Sequence, residues 1–166
     1  MDGAALFVGV GSPHGDDRAG WLVADALSNR ARAGCFTPPT DARAGCRGLV
    51  IHKASTPADL FDWLDDAATL IVCDAVRGAG PIGSLHRWIW PDARIGRLRA
   101  SGSHDLCLSE VLEMAGRLDR LPAHVVVWGI EASPVAPVSE VSPEVGQVLP
   151  VVAEKIWSEL SPAIDI

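Results

Sequence analysis

The stretch AALFVGVGSPHGDDRAGWLVADAL, residues 4–27, decides how the chain is read. Its first seven residues, Ala4 to Val10, form an unbroken apolar run ending among glycines, as expected of a strand buried on both faces. Further on, Ala19, Leu22, Val23, Ala26 and Leu27 recur at the spacing of one helical face. Strand, glycine loop and helix in that order suggest a nucleotide-binding turn, but the details exclude it. Gly9 and Gly11 fill the first two places of a GxGxxG fingerprint, and His14 stands in the third. No Gly-Lys-Ser/Thr follows, and the adjacent acids Asp16 and Asp17 would repel a phosphate. One acid suffices to cap a helix and complement its dipole. The second is free for another task, or is merely solvated.

Outward from this unit, the chain alternates strands and helices. GLVIH (48–52), TLIVCDAV (69–76) and HVVVWGI (124–130) read as strands, and SLHRWIW (84–90) as an edge or antiparallel strand. Helices are expected over 57–66, over 104–118 and from Ser142–Pro143 onward, the last with serine as N-cap, proline at the first helical position and a kink at Pro150. Residues 30–47, with RAGC twice and a Pro-Pro pair, read as a surface loop. The alternation predicts an α/β sandwich around a mainly parallel sheet. A length of 166 residues suits one domain spanning 1–166.

Composition narrows the classes. The chain is 48% hydrophobic and 21% charged with a net charge of −7, which fits a globular protein and argues against nucleic acid or an anionic membrane as partner. No signal peptide or membrane span is read, so the expected location is cytoplasmic. Cys35, Cys46, Cys73 and Cys107 lack CxxC spacing, which favours free thiols; a Cys35–Cys46 bridge stays open.

Sites in open α/β sheets collect at the carboxyl ends of strands, where strand order reverses. Three residues converge there on this reading: Asp17 after the first strand, Asp74 after the apolar run TLIVC, and His104 behind Ser101-Gly102-Ser103. Oxygen and nitrogen ligands of this kind suit nickel, zinc or related divalent ions. Each residue also has a plainer role open to it, Asp74 and His104 as turn or helix caps and Asp17 as a solvated acid. His14 is placed close enough to the acids for an accessory role. Structural roles are expected for His86 and His124, and core positions for Cys73 and Cys107.

The order of these motifs resembles the hydrogenase maturation endopeptidases, which process the large subunit of nickel-iron hydrogenases. It is carried by Gly9-Val10-Gly11-Ser12 through Asp16-Asp17 and Gly20, by Val72-Cys73-Asp74-Ala75, by Ser103-His104 with Leu108 and Val111-Leu112, by Gly129-Ile130-Glu131, and by Ser142-Pro143. The chain departs from the family pattern at Ser12, where asparagine is usual, at Arg18, where glycine is common, and at Ala132, where proline is usual. The SPHG portion is one residue short, and 30–47 looks like an insertion. The resemblance implies a three-layer sandwich, helices around a twisted, mainly parallel sheet of about five strands. It also implies removal of a C-terminal peptide from the large-subunit precursor after nickel insertion. Asp17, Asp74 and His104 would then be catalytic and metal-binding, recognising nickel supplied by the substrate, with other divalent metals accepted in vitro. The expected working form is a monomer. The alternative is a non-catalytic, metal-dependent assembly chaperone for the immature subunit.

Overall fold

A computed structural model describes residues 3–33, 48–97, 106–134 and 140–161. Five strands, β1 (Ala4–Val10), β2 (Leu49–Ala54), β3 (Ala67–Val76), β4 (Leu85–Ile89) and β5 (His124–Glu131), make one sheet in the order β2-β1-β3-β5-β4. The first four strands in that order are parallel, and β4 runs antiparallel on the edge of β5, pairing Leu85 with Ile130 through Ile89 with Val126. The long central runs are apolar because both faces are covered. Helices α1 (Ala19–Ala33) and α3 (Pro143–Leu160) cover one face, and α2 (Leu108–Arg117) the other. This is the α/β sandwich expected.

Strand alternation divides the core. Leu70, Val72 and Val76 of β3 pack with Val111, Leu112 and Ala115 of α2, whereas Ile71 and Cys73 pack with Val23 and Leu27 of α1 and Val152 and Ile156 of α3. Asp74 alternates with Val72 and Val76 and so belongs to the α2 face.

Several expected details are corrected. Residues 57–66 form two 3-10 turns, Pro57–Asp62 and Leu64–Asp66, and no α-helix; Thr56 and Asp59 close a capping box that favours the tight first turn. Residues 30–33, read as loop, complete the last turn of α1; the rest of that segment, with Cys35 and Cys46, lies outside the described residues. α2 spans 108–117, and Leu118, expected as the last residue of the helix, is its exposed C-cap. On α1, Ala24 is buried while Ala26 is exposed and Leu22 half-buried, so the inner face is rotated from the expected one.

The closing helix begins as its sequence states. Ser142 is the N-cap, its hydroxyl accepting from the Val145 N–H at 3.4 Å, and Pro143 occupies the first turn. The helix continues through Pro150, which faces solvent.

Candidate active site

Strand β1 connects to β2 on one side of the sheet, and β3 leads toward β5 and β4 on the other. The crevice at the carboxyl ends of β1 and β3 is therefore the switch point of this fold. Register matches Gly9 with Cys73, which leaves Asp74 one step beyond the last β1 pair. β3 itself continues to Val76, so Asp74 lies within the strand and does not end it.

Glycines bring the Asp17 turn onto this edge. A Cβ on Gly9 would lie 2.0 Å from the Gly20 carbonyl oxygen, and one on Gly20 would lie 2.1 Å from the Val10 oxygen and 2.6 Å from that of Cys73. Helix α1 thus starts in backbone contact with β1 and β3, an approach no side chain permits. At Gly11 a Cβ would lie 2.4 Å from the Asp17 carbonyl oxygen, which also accepts the Ser12 N–H at 3.1 Å. The Gly11 N–H and the Trp21 indole N–H both donate to the Ala54 carbonyl, at 3.0 and 2.8 Å, anchoring the loop to the end of β2. The loop's glycines admit protein backbone where a nucleotide loop admits pyrophosphate.

The 3-10 turn Gly15–Arg18 contacts β3, and the Asp17 carboxylate acts on Asp74. Burial and then the Asp17 charge push the Asp74 carboxyl up to about 8, against a hydrogen bond from the Ala75 N–H that favours ionisation. Burial, aided by the Asp74 charge, also pushes the neighbouring Cys73 thiol up. Cys73 is a protonated core residue as expected, and no nucleophile.

Asp16 does not take the capping role that the sequence left to one of the two acids; it lies inside the 3-10 turn ahead of α1. Its carboxylate is buried and turned to the far connection, where four donors converge. The Ser133 N–H and hydroxyl donate to Oδ2 at 2.9 and 2.6 Å. The Ser142 N–H donates to Oδ1 at 2.6 Å and its hydroxyl to Oδ2 at 2.9 Å. Although burial opposes ionisation, the hydrogen bonds together hold the Asp16 carboxyl below its ordinary value. One carboxylate thereby pins both ends of the β5–α3 connection beside the Asp17 turn.

Glu131 is a second buried anchor. It accepts the Gly78 N–H at 2.6 Å and the Ala79 N–H at 3.1 Å. The His86 Nε2 lies 3.7 Å from Glu131 and 3.2 Å from the Ser84 hydroxyl. Both partners meet the same ring nitrogen, and Ser84 donates its proton to the Pro81 carbonyl at 2.6 Å. The trio is thus no serine–histidine–acid relay, which needs the acid on the other nitrogen. His86 stacks on Trp88, in keeping with a structural role.

Of the three residues read as a site, Asp17 and Asp74 meet at the switch point, and His104 lies outside the described residues. Among the described residues no group of three His, Cys, Asp or Glu side chains could hold a metal ion. The two acids still fit a cation, because their repulsion is the kind a divalent ion relieves.

Residues 49–159 match the family model of the hydrogenase maturation protease HycI. The chain belongs to the hydrogenase maturation protease family. The matched segment contains Asp74 and His104, while Asp17 precedes it. The fold of this hydrogenase maturation protease is similar to that of the hydrogenase maturating endopeptidase HybD from E. coli, with a TM-score of 0.72 and 18% identity over 96% of this chain and 93% of that one. It is also similar to the maturation protease HycI from Thermococcus kodakarensis, with a TM-score of 0.66 and 17% identity over 95% and 92%. The hydrogenase 2 maturation peptidase from a Thaumarchaeota archaeon reaches 25% identity and a TM-score of 0.62 over 95% and 97%. No curated protein matches the chain significantly. Among the described residues no helix is long and apolar enough to cross a membrane.

The sequence alone did not single out the anchoring role of Asp16, nor its partners Ser133 and Ser142, which lie 117 and 126 residues away. The one signal was the doubled acid, since a helix start needs only one.

Proposed function

We propose that this protease removes a C-terminal peptide from the nickel-loaded large-subunit precursor of a nickel-iron hydrogenase, and that Asp17, Asp74 and His104 recognise the substrate's nickel. Family membership supports the endopeptidase activity. The observation that carries the site is the Asp17–Asp74 pair at the switch point, where burial and like charge leave Asp74 titrating near 8.

A divalent ion at such a pair supplies Lewis-acid polarisation of the scissile carbonyl or of water. The protein's own part is to present two converging carboxyl groups on fixed backbone. Near neutral pH the Asp74 carboxyl holds its proton when no cation is near, and it can release that proton to solvent when one arrives. A group titrating near neutrality also suits a general acid–base role in peptide hydrolysis.

The test mixes the protein with its cognate precursor, prepared with and without nickel, and follows precursor mass. Loss of the tail from the nickel-loaded form alone is the expected result. A nickel-loaded precursor that keeps its tail contradicts the proposal; stable binding without cleavage would favour the chaperone reading.

A further inference from the structure

Beyond β4 the chain passes through Trp90, whose N–H donates to the Val125 carbonyl at 2.9 Å, and enters a short 3-10 turn, Ile95–Arg97. Ile95 packs into the core with Val111 and Leu112 of α2. Between this segment and α2 opens a cavity of about 520 Å³, lined by Trp90, Pro91 and Gly96 on the incoming segment and by Ser109 and Glu113 on the helix. That volume lies within the roughly 300–1,000 Å³ usual for ligand pockets. Ser109 and Glu113 are one helical turn apart and so share a face of α2.

The polar groups of this cavity are incompletely used. Ser109 is only 8% exposed, and among the described residues its hydroxyl meets just the Cys107 thiol at 3.0 Å, a weak partner. Even a Cβ added at Gly96 would stay 3.7 Å from that hydroxyl, so the facing wall leaves it open. Two carboxylates, Asp92 and Glu113, line the cavity together with no cationic side chain among the described residues. Arg94 pairs with Asp92 at 2.5 Å, whereas Glu113 makes no hydrogen bond or ion pair among the described residues. An occupant must therefore bring a positive charge to Glu113, a polar hydrogen to Ser109 and an apolar stem to Trp90 and Pro91. Lysine and arginine side chains combine these features, and a guanidinium can also stack on the indole.

We propose that the cavity between Trp90 and Glu113 is a recognition pocket for one lysine or arginine side chain of the hydrogenase large-subunit precursor. The choice of occupant rests on the reading of that precursor as the substrate. In the chain, Gly96 and Ser109 stand on either side of residues 98–105, the segment that carries His104. The cavity is also larger than one side chain, which suits a residue held within a polypeptide better than a free amine. The pocket is distinct from the Asp17–Asp74 pair and contributes affinity, not chemistry.

Two measurements on the full-length protein test this. In the first, Nα-acetyl-arginine methylamide is titrated while backbone amide NMR shifts are followed, with the neutral citrulline analogue as control. Saturable shifts at Gly96, Ser109 and Glu113 are expected from arginine, with a dissociation constant on the order of 1–10 mM. Citrulline, and arginine added to the Glu113→Gln variant, should bind about tenfold more weakly, as when a charge-assisted pair is lost. Glu113 is exposed, so Glu113→Gln should keep the wild-type melting temperature. In the second, calorimetry with nickel-free precursor reads affinity without turnover. Glu113→Gln should weaken binding about tenfold, and one lysine or arginine of the precursor, changed to glutamine, should cost the wild-type protein as much and the variant nothing. Equal shifts from arginine and citrulline, or none at these amides, overturn the pocket's chemistry. Equal affinity of wild-type and Glu113→Gln proteins for the precursor, or no binding by either, overturns the precursor as its occupant. Failure to cleave nickel-loaded precursor contradicts the proposed function alone, because neither measurement depends on cleavage.

Discussion

Asp16, buried, and Asp74, half-buried, lie at one edge of the sheet, and they are driven in opposite directions. Asp16 meets four donors from Ser133 and Ser142 and is held ionised below its ordinary value. Asp74 has one backbone donor and a like-charged neighbour, and is pushed up to about 8. Burial acts the same way on both; the supply of donors decides the outcome. The contrast assigns one carboxylate to the fold and leaves the other poised for chemistry, a division that two adjacent acids in the sequence do not announce.

The sharpest way to break this contrast is to remove the poised pair. Asp17→Asn or Asp74→Asn should lower precursor cleavage more than ~100-fold, since even groups behind metal-binding side chains are worth about 10–100-fold. Intact-mass kinetics would show it, and a loss below tenfold would remove these residues from the site.

The next largest effect belongs to the anchor. Asp16→Ala leaves buried serine donors without their acceptor and should cost about 3 kcal/mol at pH 7, as the loss of hydrogen bonds to a charged group does. Denaturant midpoints would read it. Because the folded value of Asp16 is depressed, its contribution is complete above the unfolded value of 3.8 and fades as pH falls through the folded one. The wild-type and Asp16→Asn curves should therefore converge in acid.

Asp74 carries the opposite sign. Its folded value is raised, so from 3.8 upward its ionisation opposes folding, until the cost is complete above about 8. Asp74→Asn should stabilise the protein by about 1–2 kcal/mol at pH 7, allowing for its partial solvent contact, and by nothing below pH 4. A melting-temperature series against pH would show the gap opening as pH rises.

The smallest effect is local. Glu131→Gln keeps one acceptor oxygen of the two and should cost about 1 kcal/mol. Faster amide exchange at Gly78 and Ala79, with the core amides unchanged, is the expected signature.

The central strands were legible because β1, β3 and β5 are buried on both faces and read as unbroken apolar runs. The start of α3 was legible because Ser142 and Pro143 act locally. Misread features depend on distant partners. The inner face of α1 is set by backbone contact at Gly9 and Gly20, which favours Ala24 over Leu22 and Ala26, and no periodicity encodes that contact. Asp17 and Asp74 could be paired in advance because strand ends at a switch point converge by topology. The role of Asp16 could not, because its donors come from the far end of β5 and the cap of α3.

Carboxyl-carbon NMR titration of the intact protein, with Asp16 and Asp74 assigned through their Asn variants, tests the division of labour most directly. The account predicts that Asp16 titrates below 3.8 and Asp74 near 8. An Asp74 carboxyl that ionises in the ordinary aspartate range, level with Asp16, would contradict it.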